Sequence, residues 1–155
     1  MGSNEWEIFS YVLISMALGG LIGFERGTIG KPAGIRTNMF VSGSAALVVS
    51  VSKVLIEQFS QVSSIVSADP TRILEAVIVG VSFIGAGTVL KSSETHRVYF
   101  LTTAASILFS AGVGIVVALG LIKLAIMLAL LIVVISRIIG RLEFHFIYHD
   151  KIDTE

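Results

Sequence analysis

An all-α, polytopic membrane protein, folded as a compact bundle of about five transmembrane helices, is the fold class that this sequence predicts. Three observations carry it. Charged residues make up 14% of the 155-residue chain, against roughly 25% in average soluble proteins, so polar groups are too few to cover a water-facing globule. Apolar runs recur along the chain at the length a bilayer asks for, about 20 residues for a hydrocarbon core of roughly 30 Å. One run, residues 98–136, has Lys123 as its single charge.

The first span is read at residues 8–24, which contain no charge. It has no basic segment before it and ends on Glu25-Arg26 rather than on a small-residue cleavage site, so it reads as a permanent span and not a secretory signal. Residues 1–7 are an N-terminal segment, whose Met1-Gly2-Ser3 resembles a cloning remnant. Gly27, Gly30, Pro32 and Gly34 break the helix in the polar stretch that follows. The second span is expected at residues 37–56, with Lys53 near its end, where a long side chain can reach the interface. Residues 57–72 read as a loop.

Asp69-Pro70 opens the third helix. Asp accepts from orphan N–H groups at an N-cap, and Pro is preorganised for the first helical position. The apolar run continues over residues 73–90, with Glu75 in the first turn, where the helix dipole favours an acid. Residues 98–136 would stretch roughly 58 Å as one helix at 1.5 Å per residue, about twice the hydrocarbon core. They must therefore turn back once, and Gly120 is the expected turn, giving spans at 98–118 and 121–139. Residues 8–141 thus form the transmembrane domain and residues 142–155 a cytoplasmic tail.

Orientation is read from the cations. With the N-terminus outside, Arg26, Lys31, Arg36, Lys91, Arg97, Arg137, Arg141 and Lys151 are cytoplasmic. Lys53, Arg72 and Lys123 are outside. The expected topology is therefore N-terminus out, five spans, C-terminus in. A formal net charge of zero gives no reason to expect nucleic acid, and the absence of cysteine removes disulfides, thiolate metal sites and Cys nucleophiles. No Ser–His–Asp set is apparent, and all three histidines fall in short loops or the tail, so an enzyme is not expected.

Three linked stretches carry a family resemblance. The first is LGGLIGFER at residues 18–26 with KPAGIRTN at 31–38. The second is DPTRI at 69–73 with VGVSFIGAG at 79–87. The third is LTTAA at 101–105 with SAGVG at 110–114. In this order they resemble the membrane domain of the MgtC/SapB family, over residues 13–120. The resemblance implies a bacterial inner-membrane factor of adaptation to low magnesium and, in pathogens, of survival inside macrophages. It also implies binding to another membrane complex, such as the membrane sector of F-type ATP synthase. The alternative is a transporter or channel for magnesium or another cation. Many members carry a soluble ACT-like C-terminal domain, for which this sequence ends too soon, as either a short SapB-type member or a truncated one. The family's frequent Leu-Trp pair is replaced here by Ile107-Leu108-Phe109.

Topology and motifs together draw a polar cluster at the cytoplasmic end: Glu25, Arg26, Arg36, Thr37, Asn38, Thr102 and Thr103 from three helices at one depth. It reads either as a docking surface or pocket, or as ion-paired helix ends that fix packing. Glu25 is expected to pair with Arg36, because Glu25 and Arg26 point about 100° apart on one helix. Gly19, Gly20, Gly23, Gly80, Gly85 and Gly87 are expected to let helices approach closely. Ser82 with Ala86 and Ser110 with Gly114 form further small faces. Packing within one bundle is the first reading of these faces and a homodimer seam at Gly19 and Gly23 the second. Asp69 and Arg72 form an outer-face cap. No cofactor is certain. For Mg2+, which wants hard oxygen ligands, Glu25, Asp69 and Glu75 are the candidates, and Glu25 stands at the opposite face from the other two. His145 and His149 have a chelating spacing without an assured third ligand. The expected partners are lipid, a membrane protein and a second copy of the chain.

Overall fold

A computed structural model describes residues 5–62, 69–90 and 100–149. Five helices follow in order: α1 (Glu5–Thr28), α2 (Ile35–Val62), α3 (Pro70–Leu90), α4 (Leu101–Ala118) and α5 (Ile122–His149). Each is long and apolar enough to cross a bilayer, and no strand occurs among the described residues. A bilayer offers no water to backbone groups, so a helix, which satisfies them internally, is the element these apolar runs must adopt.

Two glycines set the tight turns. Gly30 has φ +70 and Gly120 φ +81, a region that costs a residue with a Cβ. Behind Gly30, Lys31 N–H donates to Arg26 O and Gly30 N–H to Gly27 O. Behind Gly120, Leu121 N–H donates to Val116 O and Gly120 N–H to Val117 O. Both are Schellman closures, which satisfy the last carbonyls of α1 and α4. At the start of α3, Asp69 Oδ1 accepts from Thr71 N–H at 2.9 Å and from its hydroxyl at 2.7 Å.

Two expectations are corrected. Residues 57–62 belong to α2 rather than to a loop, and α5 does not end near residue 139 but continues past Arg141 to His149, into the segment read as the tail. Leaving the apolar layer does not oblige a helix to stop, because Glu, Gln, Leu and Arg are good helix formers in water as well. The side chains of His145 and His149 lie outside the described ones, as do residues 91–99 and 150–155.

α4 is the central helix, in contact with each of the other four. It runs parallel to α2, since Asn38 meets Ser110 near one end and Lys53 meets Ala118 at the other. One apolar cluster joins α1, α4 and α5 through Ile22, Val113, Val117, Ala125 and Ala129. A second joins α2, α3 and α4 through Ala46, Val49 and Ala118. The outer faces of α3 and α5 present Phe83, Val79, Met127, Leu131 and Ile138, the surface that hydrocarbon covers. Ser15, Glu25, Asn38, Ser42, Thr103, Ser106 and Ser110 are buried instead. Polar groups inside and large apolar groups outside is the arrangement a lipid solvent favours.

Candidate functional site

The polar interior is built where α1, α2 and α4 approach most closely, and glycine makes that approach possible. A Cβ on Gly23 would lie 2.6 Å from Gly34 O. One on Gly19 would run into Asn38 O and Ser42, and one on Gly114 into the Ser42 carbonyl. Ser42 is thus held between a glycine of α1 and a glycine of α4. Lipid-embedded helices gain little from hydrophobicity against each other, so such backbone contact supplies much of their association.

The site has two layers. In the outer one, Arg26 Nη2 donates to Thr102 Oγ1 at 3.1 Å, joining the end of α1 to the start of α4. Arg26 is 6% exposed and its neighbour Glu25 only 2%. Glu25 Oε1, Arg26 Nε and Thr103 Oγ1 are buried without a hydrogen-bond partner. Thr102 itself is exposed, so it joins a buried guanidinium to the outside of the bundle. In the inner layer, Asn38 Nδ2 donates to Ala33 O and Gly34 O, both at 2.9 Å, and Ser110 Oγ donates to Asn38 Oδ1 at 2.7 Å. One amide therefore ties the α1–α2 loop to the central helix. Ser106 Oγ is satisfied locally by Thr103 O at 2.8 Å.

This geometry corrects parts of the sequence reading. Thr102 and Asn38 do not share one depth. Asn38 meets α4 at Ser110, eight residues past Thr102, which is roughly 12 Å along a helix. Arg36 is exposed and does not pair with Glu25; Thr37 is half-buried. The shielded guanidinium is that of Arg26. Gly19, Gly20, Gly23 and Gly85 face neighbouring helices of the same chain, Gly85 against Ala104. Gly80 and Gly87 are exposed, with no atom within 4 Å of an added Cβ, and so do not pack helices together. Ser82 and Ala86 are exposed as well.

At the opposite end, Lys53 Nζ donates to Ala118 O at 2.6 Å. Asp69, Arg72 and Glu75 are exposed there. Hydrogen bonds from the Thr71 hydroxyl and backbone hold the Asp69 carboxyl below its usual range. Among the described residues, no group of three His, Cys, Asp or Glu side chains converges for a metal ion.

Sequence reasoning missed Ser110 as the polar partner of Asn38, and Ser42 and Ser106 as buried polar residues beside it, the Ser42 hydroxyl being without a partner. The signal was present in part, because Asn38 and Ser42 are one turn apart and so share a face of α2. Serine in an apolar helix can also bond its own backbone, so its spacing alone does not reveal a partner helix.

Comparison with known proteins bears on this arrangement. The profile of the MgtC family matches residues 12–144. Protein MgtC of Brucella abortus is 38% identical over 140 residues, covering 86% of this chain and 53% of that protein. YhiD of Escherichia coli K12, whose name proposes it as a magnesium transporter, is 36% identical over 139 residues, covering 88% of this chain and 62% of that one. SrpB of Synechococcus elongatus is 36% identical over 130 residues, covering 79% and 70%. The chain thus spans about half to three-fifths of the length of the Brucella and Escherichia relatives. No solved structure matches.

Proposed function

The chain belongs to the MgtC family, a multi-pass bacterial membrane protein linked to magnesium, and from that premise we propose that it is a regulatory factor of growth at low magnesium. In this reading it acts by binding another membrane complex, such as the membrane sector of F-type ATP synthase. It sits in the inner membrane with its N-terminus outside, as the cation bias suggests. The observation that carries the reading is the closeness of α1, α2 and α4. At Gly19, Gly23 and Gly114 not even a methyl group fits between them, whereas Mg2+ dehydrates reluctantly and travels with several waters. That packing supports recognition at the bundle's end, at Thr102 and Arg26, over conduction through its centre.

Transport is the second reading. The buried, unpartnered oxygen of Glu25 favours it, as does the name of the Escherichia relative. Proteoliposomes holding the purified chain and a magnesium-sensitive dye separate the two. Regulation predicts no flux above empty vesicles, together with a partner crosslinked to the Thr102 end in native membranes. Magnesium flux that scales with protein, without a crosslinked partner, would replace regulation by transport.

A further inference from the structure

We propose that the groove between α2 and α3 seats an acyl chain of an anionic phospholipid whose phosphate is held by Arg36. The groove encloses about 410 Å³ and is lined by Phe40, Ser44 and Val48 of α2 and by Ala76, Gly80 and Ile84 of α3. Ser44 is the single polar residue of that lining. Phe40, Val48 and Ile84 are all exposed, so the groove opens sideways, toward the bilayer. Space this large and this apolar does not hold ordered water, which needs polar partners. Lined by side chains 40 to 48 along α2, it extends roughly 12 Å at 1.5 Å per residue, a length that suits part of one acyl chain.

Charge decides the headgroup. Arg36 stands one turn before Phe40, the groove residue nearest the start of α2, and about 40° round the helix from it. Its guanidinium is exposed and makes no hydrogen bond or ion pair with another described residue. Lys31, in the loop at the same end, is exposed too. Glu25, the carboxylate at this end whose side chain is described, is buried. The rim of the groove is therefore cationic, at the level where a lipid phosphate lies. Guanidinium binds phosphate through paired, charge-assisted hydrogen bonds, and basic sites at the ends of membrane helices hold anionic headgroups.

The test is native mass spectrometry of the full chain in mild detergent, titrated with dioleoyl phosphatidylglycerol or dioleoyl phosphatidylcholine. The chain is expected to retain one phosphatidylglycerol at least tenfold more tightly than phosphatidylcholine. Arg36→Gln should erase that preference and leave weak binding of both. Gly80→Leu, which fills open space rather than clashing, should lower binding of both. Ser44→Leu fills the groove from the other wall should Gly80→Leu fail to fold, as judged by size-exclusion chromatography. Millimolar inorganic phosphate should not displace the lipid. The proposal is overturned if Arg36→Gln keeps the tenfold preference or if a folded, groove-filled variant retains lipid like the parent. It is also overturned if phosphate alone strips the lipid, or if filling the groove instead abolishes a dimer, which would make a second copy the occupant.

Discussion

Asn38 and Ser110 meet in the interior across 72 residues of sequence, the serine hydroxyl donating to the amide oxygen at 2.7 Å while the amide nitrogen holds Ala33 O and Gly34 O. The bond fixes α4 against the loop that α1 and α2 share. Ser110→Ala should therefore lower thermal stability, because it leaves a fully buried oxygen without a donor. Hydrogen bonds between membrane helices average about 0.6 kcal/mol and reach about 1.7 kcal/mol, and the loss should fall within that span. Asn38→Ala should cost more, since it also releases two loop carbonyls. The double variant should cost less than the sum of the singles. Thermal melts of the three purified proteins check this, and additive losses would show that the two side chains act independently.

Gly23 should tolerate no side chain. Its added Cβ would meet Gly34 O at 2.6 Å and Ile35 Cα at 2.7 Å, and backbone cannot swing aside as a flexible side chain can. Gly23→Ala should lower the yield of monodisperse protein, and Gly23→Leu should abolish it. Gly87→Ala is the control, because nothing lies within 4 Å there. The readout is size-exclusion chromatography of detergent extracts. A Gly23→Leu protein that folds and merely loses a dimer would mean that this glycine serves an interface between copies.

Those two cases also mark what the sequence could say. The number of helices was legible because bilayer thickness divides the apolar runs, and the turn at Gly120 followed from a run too long for one crossing. The start of α3 was legible because Asp69-Pro70 is local chemistry. The pairing of Asn38 with Ser110 was not, since it depends on how far α2 and α4 slide along each other. Nor was the outward position of Arg36, because a cation beside the interface can turn to lipid phosphate as readily as to a carboxylate. Gly80 and Gly87 looked like packing glycines by composition, but packing depends on which face another helix takes.

The turn between α4 and α5 should be sensitive at Gly120 and at Lys53. Gly120 has φ +81, so Gly120→Ala should cost about 1–2 kcal/mol for the left-handed backbone. Lys53 Nζ donates to Ala118 O, one of the last carbonyls of α4. Lys53→Met should lower the melting temperature by less, because the lysine is exposed and water can replace its bond. Equal stability of parent and Lys53→Met in lipid nanodiscs would show that the lysine merely reaches the interface.

Asp69 should contribute to stability in a pH-dependent way. The Thr71 hydroxyl, then the Thr71 N–H, hold its carboxyl below the unperturbed 3.8. A depressed folded value gives stability that is present above the unfolded value and is lost as pH falls through the folded one. Melts of the parent should therefore weaken further below about pH 3.9, the unperturbed carboxylate region, by an increment that Asp69→Asn lacks. Thr71→Val should shrink the same increment. Parallel melting curves for parent and Asp69→Asn across that range would remove the carboxylate from the account.

Glu25 should matter for activity more than for folding. Its side chain is 2% exposed, and Oε1 has no hydrogen-bond partner. Arg26, adjacent and also buried, spends Nη2 on the exposed Thr102 and leaves Nε unpaired. A site built only for stability would have paired these atoms, since an unmet buried polar group costs about 1–3 kcal/mol and charged groups cost more. Their retention argues that something used in function draws on them. Glu25→Gln keeps the shape and removes the charge, so the chain should insert at normal levels and fail to complement a deletion strain at low magnesium. Thr102→Val should give the same phenotype in weaker form, because it removes the exposed end of the Arg26 contact and leaves the interior filled. Arg26→Ala, by contrast, should lower protein levels, because it strips the buried carboxylate of its neighbouring cation. Growth and membrane protein levels are measured together. If Glu25→Gln and Thr102→Val both complement fully while Asp69→Asn does not, the working surface lies at the other end of the bundle and the buried pair is packing.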